Sequence, residues 1–130
     1  MSSGPIAVTE LMLIGVVDAG VPNKERIVLR PTQATDLRQF LLVPGIFNPT
    51  TGGAHPIFDN AFWFPDVSVE APSWIHVYTG LGNQTVDSLP GGDVVHTFFW
   101  QRSTVVFTFS DVVPVLIRID AAVVGQLLGQ

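Results

Sequence analysis

Twelve glycines and ten prolines are spread along 130 residues, and no interval between them is long enough for an extended helix. Proline removes a backbone donor and clashes with the preceding helical turn, and a mid-helix glycine costs about 1 kcal/mol relative to alanine. Between these breaks lie short runs rich in Val, Ile, Phe, Trp and Thr, the residues that favour a pleated, half-buried backbone. The pattern predicts strands at about 6–17, 26–30, 38–43, 62–64, 67–70, 74–79, 94–100, 104–109 and 115–120. Gly52-Gly53, Gly80-Leu81-Gly82-Asn83 and Pro90-Gly91-Gly92-Asp93 supply turns, because glycine and asparagine accept positive φ at little steric cost. Many short strands with turns between them predict an all-β sandwich or barrel. No linker or internal repeat divides the chain, so residues 1–130 are read as one domain.

Composition then limits what such a domain does. Only 13% of residues are charged and 47% are hydrophobic, whereas ordinary soluble domains carry about 25% charged residues. A compact 14.1 kDa monomer exposes roughly 6,700 Å², and its single small core cannot absorb that apolar excess. Some apolar surface is therefore expected to be covered by a partner or by further copies of the chain. A net charge of −5 with six Lys plus Arg argues against nucleic acid and against polybasic membrane attachment. The longest apolar stretch, Leu11 to Val17, falls far short of the ~20 residues that span a bilayer. The absence of cysteine removes thiol chemistry and disulfides. Met-Ser-Ser-Gly-Pro has no basic segment leading into an apolar one, so no ordinary secretion signal is read and synthesis in the cytoplasm is expected.

The strand faces carry the next inference. One face of 74–79 presents Trp74, His76 and Tyr78; one face of 94–100 presents Val94, His96, Phe98 and Trp100. The opposite faces, Ile75, Val77 and Thr79 or Val95, Thr97 and Phe99, are no more polar. A half-exposed antiparallel strand alternates apolar and polar residues; these do not. Either a loop such as 44–61 folds over the second face, or Trp74, His76, Tyr78, His96, Phe98 and Trp100 form an assembly interface, since aromatics dominate binding hot spots.

The order of features resembles the lamin-tail domain family in its bacterial and phage-borne, immunoglobulin-like versions. Glu25-Arg26-Ile27-Val28-Leu29 is similar to the family's glutamate-x-valine-x-leucine strand. Asp36 to Leu42 follows, and Phe64-Pro65-Asp66 is similar to its phenylalanine-proline-aspartate-glycine corner. Val69 to Ser73 and Trp74 to Gly82 are similar to an alanine-proline-glycine turn and a strand ending in threonine-glycine-x-glycine. Aromatic Thr97–Trp100, then Ser110-Asp111 and Val115–Asp120, complete a likeness over about 6–120, with Gln39-Phe40 standing where glycine-tryptophan is usual. The resemblance implies an immunoglobulin-like antiparallel β-sandwich with no substantial helix. It also implies a non-catalytic interaction or structural role.

Catalytic equipment is sparse. His55, His76 and His96 are scattered; two packed histidines and one loop histidine are the expected arrangement, with no metal and no cofactor. Placed in an interface, His76 and His96 would make assembly pH-sensitive. No serine stands in a glycine-x-serine-x-glycine elbow. Gly80-Leu81-Gly82-Asn83-Gln84-Thr85 begins like a dinucleotide fingerprint but lacks the following helix, so it is read as a hairpin loop. Asp59-Asn60 with Asp66 matches no calcium loop with enough oxygen ligands.

Residues 121–130 are apolar and uncharged. Val123, Val124, Leu127 and Leu128 are expected either in a final strand of the sandwich or in an arm that adds to a neighbouring subunit. The sequence thus predicts a structural subunit or decoration protein of a larger assembly such as a virion, binding itself or other protein subunits. The first alternative is a monomeric adaptor or carbohydrate-binding module stacking a sugar on Trp63 or Trp100; the second, a small hydrolase, lacks converging titratable groups.

Overall fold

A computed structural model describes residues 7–129, with the side chain of Asp59 outside the description. Its strands are β1 (Leu11–Val17), β2 (Arg26–Pro31), β3 (Thr35–Asp36), β4 (Phe40–Asn48), β5 (Gly53–Pro56), β6 (Phe62–Trp63), β7 (Ser68–Val69), β8 (Ser73–Tyr78), β9 (Thr85–Ser88), β10 (Val94–Phe99) and β11 (Val112–Arg118). Helical structure among the described residues is confined to the short 3₁₀ turns Leu37–Gln39 and Phe58–Asn60. One sheet has the order β1-β2-β8-β10-β9; the other has β11-β4-β5, with β6 also paired to β4. β3 and β7 form a separate short pair. Every pairing is antiparallel except that of β8 with β10, which is parallel.

The two sheets meet face to face, as a β-sandwich. The first sends inward Leu11, Ile27, Leu29, Ile75, Val77 and Phe98; the second sends Phe40 and Leu42. Strand β8 shows why: Ser73, Ile75 and Val77 are buried while Trp74, His76 and Tyr78 are half-buried, the period-2 alternation of a pleated strand. Phe64 stands edge-on to Phe62 and to Phe98, with ring centroids 5.1 and 5.3 Å apart, the arrangement that aromatic quadrupoles favour. Full burial of each large apolar side chain contributes about 1.5–3 kcal/mol.

Strand β4 runs through Pro44-Gly45, beyond the predicted 38–43. Pro44 lies directly opposite Pro114 of β11. Directly opposed antiparallel residues alternate between pairs that exchange hydrogen bonds and pairs that do not, so two residues without an N–H fit the second kind. The carbonyl of Pro44 instead accepts from Ile57 N–H on its other side, at 2.8 Å. At the β9–β10 turn, Gly91 and Gly92 both have φ of 100°, a region that disfavours residues with a Cβ.

The predicted strand at 104–109 is irregular instead. Its backbone is held by a carboxylate. Glu25, 1% exposed, accepts from Val106 N–H at 2.7 Å, Phe107 N–H at 3.0 Å, Gly20 N–H at 2.7 Å and the Thr79 hydroxyl at 2.8 Å. Buried backbone donors need partners, and this side chain replaces a neighbouring strand. Two stretches not predicted as strands, β5 and β9, form edges; a fully exposed Thr-Val-Asp-Ser carries little hydrophobic signal.

Candidate interaction surfaces

The aromatic residues of β8 and β10 divide between two faces. In the parallel register Val95 lies beside Trp74, Thr97 beside His76 and Phe99 beside Tyr78. The outer face of this sheet is therefore Trp74, His76 and Tyr78 with Val95, Thr97 and Phe99. His96 and Phe98, expected on one face with Trp74, lie instead on the opposite side of the sheet, beside Ile75 and Val77. Phe98 and Trp100 are 2% and 7% exposed and belong to the core between the sheets, so neither offers a surface. His96 shares the inner side of β10, opposite in facing to His76, and the two do not meet across the sheet. Residues 44–61 lie on the second sheet and cannot cover the aromatic face.

The outer face covers itself. The Arg30 guanidinium lies over the Trp74 ring at 4.1 Å and Arg26 over Tyr78 at 5.6 Å, while Tyr78 and Phe99 stack at 5.4 Å. Such cation–aromatic contacts contribute about 0.5–1 kcal/mol each where exposed. Phe99 in turn lies so close to Gly82 that a Cβ there would collide with its ring, and Gln101 Nε2 donates to Gly82 O at 2.6 Å. Val28, opposite His76, is 7% exposed beneath this layer. The sequence carried one signal of the cover, the period-2 spacing of Arg26, Val28 and Arg30, but only the β2–β8 register gives it meaning.

Burial lowers the pKa of His76 from 6.5, and the Arg26 charge lowers it further; burial alone does the same for His96. His96 Nδ1 is buried without a hydrogen-bond partner. His55 lies on β5, in the other sheet. Among the described residues no three His, Asp or Glu side chains converge as metal ligands.

A second surface is bare. Residues 121–129 follow β11 without joining any strand, and Val123, Val124, Leu127 and Leu128 are 95%, 92%, 87% and 85% exposed. Of the two readings of this segment, the final-strand one is not realised. A third feature is a groove of about 810 Å³ where β1 and β11, the outer strands of the two sheets, face each other. Val8, Leu11 and Leu13 line one wall and Pro56, Val115 and Ile117 the other. Glu10 and Arg118 bridge the seam at 2.7 Å. The Glu10 carboxyl is held below its usual 4.5 by a backbone N–H and by Arg118.

Trp63, on β6, is 54% exposed, and its indole N–H already donates to Arg38 O at 2.7 Å. Among the described residues no helix is long and apolar enough to cross a membrane. Comparison of the chain with protein-family models, with curated proteins and with solved structures gives no match.

Proposed function

We propose that this chain is a non-catalytic structural subunit that associates with copies of itself, an immunoglobulin-like module of the lamin-tail kind working within a larger assembly such as a virion. The observation that carries the reading is segment 121–129: four large aliphatic side chains stand almost wholly in water, with no charged residue beyond Asp120. The chain's accessible surface of 8434 Å² exceeds the roughly 6,700 Å² that a compact monomer of this mass exposes.

Burying the four arm side chains gives roughly 6–12 kcal/mol before costs. Association itself costs an estimated 4–15 kcal/mol. The arm alone is therefore marginal, and a stable complex needs a matching apolar seat. Sedimentation equilibrium over a wide concentration range tests the reading. A mass that is a defined multiple of 14.1 kDa is expected; a monomer at the highest concentration contradicts it.

One observation favours a second reading. With Trp100 buried, Trp63 is the remaining platform for a sugar ring, and it lies next to Arg38, Asp36 and Asp66, which pair with one another. Quenching or shift of tryptophan fluorescence by simple saccharides, abolished in Trp63→Ala, is the result that reading requires.

A further inference from the structure

We infer that the arm 121–129 of one copy seats in the groove between β1 and β11 of a second copy, an inference that rests on the self-association proposed above. The two features match in chemistry. The groove walls are aliphatic, and the one cation at its rim is already paired: Arg118 is 2.7 Å from Glu10 and 3.4 Å from Asp120. With two carboxylates to one guanidinium the rim keeps a net charge of −1, which disfavours an acidic segment and leaves an uncharged one unopposed. The arm is uncharged throughout and its large side chains are Val and Leu.

The features also match in length. Nine extended residues reach about 30 Å, and the stretch Pro114 to Arg118 that lines the groove about 17 Å, so the arm is long enough to fill it.

The arm does not enter its own groove, since none of residues 121–129 is among those that line it. Ile119 N–H donates to Gln39 O at 2.7 Å, which carries the chain onward past the end of β4. A tight reversal within Ile119-Asp120-Ala121-Ala122 is also disfavoured. Two-residue hairpin turns need positive φ and hence Gly or Asn, and this stretch has neither. Arg118 and Asp120 line the groove, so the arm leaves from the mouth of one seat and is directed towards another.

The seat takes side chains rather than a new strand. Pro114 offers no N–H to the free edge of β11, and the β1 ladder is broken by a register shift between Leu13 and Gly15. Both devices blunt an edge against strand addition.

The absence of native cysteine allows a direct test. Leu127→Cys protein is mixed with Ile117→Cys protein under mild oxidation, and Leu127→Cys with Val86→Cys on β9 serves as control. The expected result is a disulfide-linked dimer, at least about tenfold more abundant than in the control; equal yields overturn the inference. The double variant Leu127→Cys/Ile117→Cys at low concentration is expected to give intermolecular products, and a monomeric internal disulfide overturns the inference. Leu127→Asp/Leu128→Asp changes only side chains that stand in solvent, so it separates the two claims. If the wild type sediments as a multiple and this variant keeps the same mass, the groove is not the seat and self-association stands. A monomeric wild type defeats self-association itself.

Discussion

Two stretches of the chain, 100–111 and 121–129, are rich in apolar residues and form no strand, yet their fates differ. In the first, Trp100 and Phe107 enter the core, and the backbone donors of Val106 and Phe107 end on the Glu25 carboxylate. In the second, every residue is exposed, and among the described residues the last backbone bond to the sandwich is that of Ile119. An apolar run without a neighbouring strand is buried only where the fold supplies an acceptor for its N–H groups and a cavity for its side chains. The first stretch has both within its own chain. The second has neither, which is the physical ground for placing its partner in another copy. The aromatic face of β8 and β10 resembles the first case, since two of the chain's six cationic residues lie over its rings.

Breaking the anchored stretch is expected to give the largest effects. Phe107→Ala removes a ring that is 4% exposed and should cost about 3–5 kcal/mol in urea unfolding. Glu25→Gln keeps the shape but turns one acceptor into a donor facing donors, at a cost of about 2–4 kcal/mol. A loss below 0.5 kcal/mol in either would mean that 100–111 is no better anchored than the arm.

Uncovering the aromatic face is a smaller intervention. Arg30→Gln and Arg26→Gln should each cost about 0.5–1 kcal/mol, with the double variant gaining dye-binding apolar surface. If neither stability nor dye binding changes, the guanidinium cover is not what satisfies this face.

Acidification sharpens the same point. His76 and His96 have folded-state pKa values below 6.5, so the unfolded chain takes up protons first as pH falls. Their contribution is complete above about 6.5 and is lost as pH drops towards the lower folded values. Thermal melts should show declining stability through that window, and less decline in His76→Gln/His96→Gln. The smallest effect on stability belongs to the arm: Leu127→Asp/Leu128→Asp is expected to stay within about 0.5 kcal/mol when measured on dilute protein.

Much of this contrast is legible in residue order. Strand β8 follows from its run of strand-forming residues between Pro72 and Gly80, and the turns at Gly52 and Gly91-Gly92 follow from glycine. The facing of β10 does not, because Val94 to Trp100 is apolar on both sides and only the register with β8 decides that Phe98 goes inward beside Val77. The coil at 104–109 has strand composition; its irregularity depends on a carboxylate about 80 residues earlier in the chain, beyond any local pattern. The arm stands out by composition alone. Its seat does not, since β1 and β11 lie at opposite ends of the sequence and form a groove only when both sheets are built.

The most direct test compares light-scattering masses of three proteins at one concentration: wild type, Leu127→Asp/Leu128→Asp, and Trp74→Ser on the aromatic face. Wild type and Trp74→Ser are predicted to share a multiple of 14.1 kDa, and the arm variant to fall to the monomer. An arm variant that keeps the wild-type mass while Trp74→Ser loses it would contradict the account, and so would a wild type that is monomeric throughout.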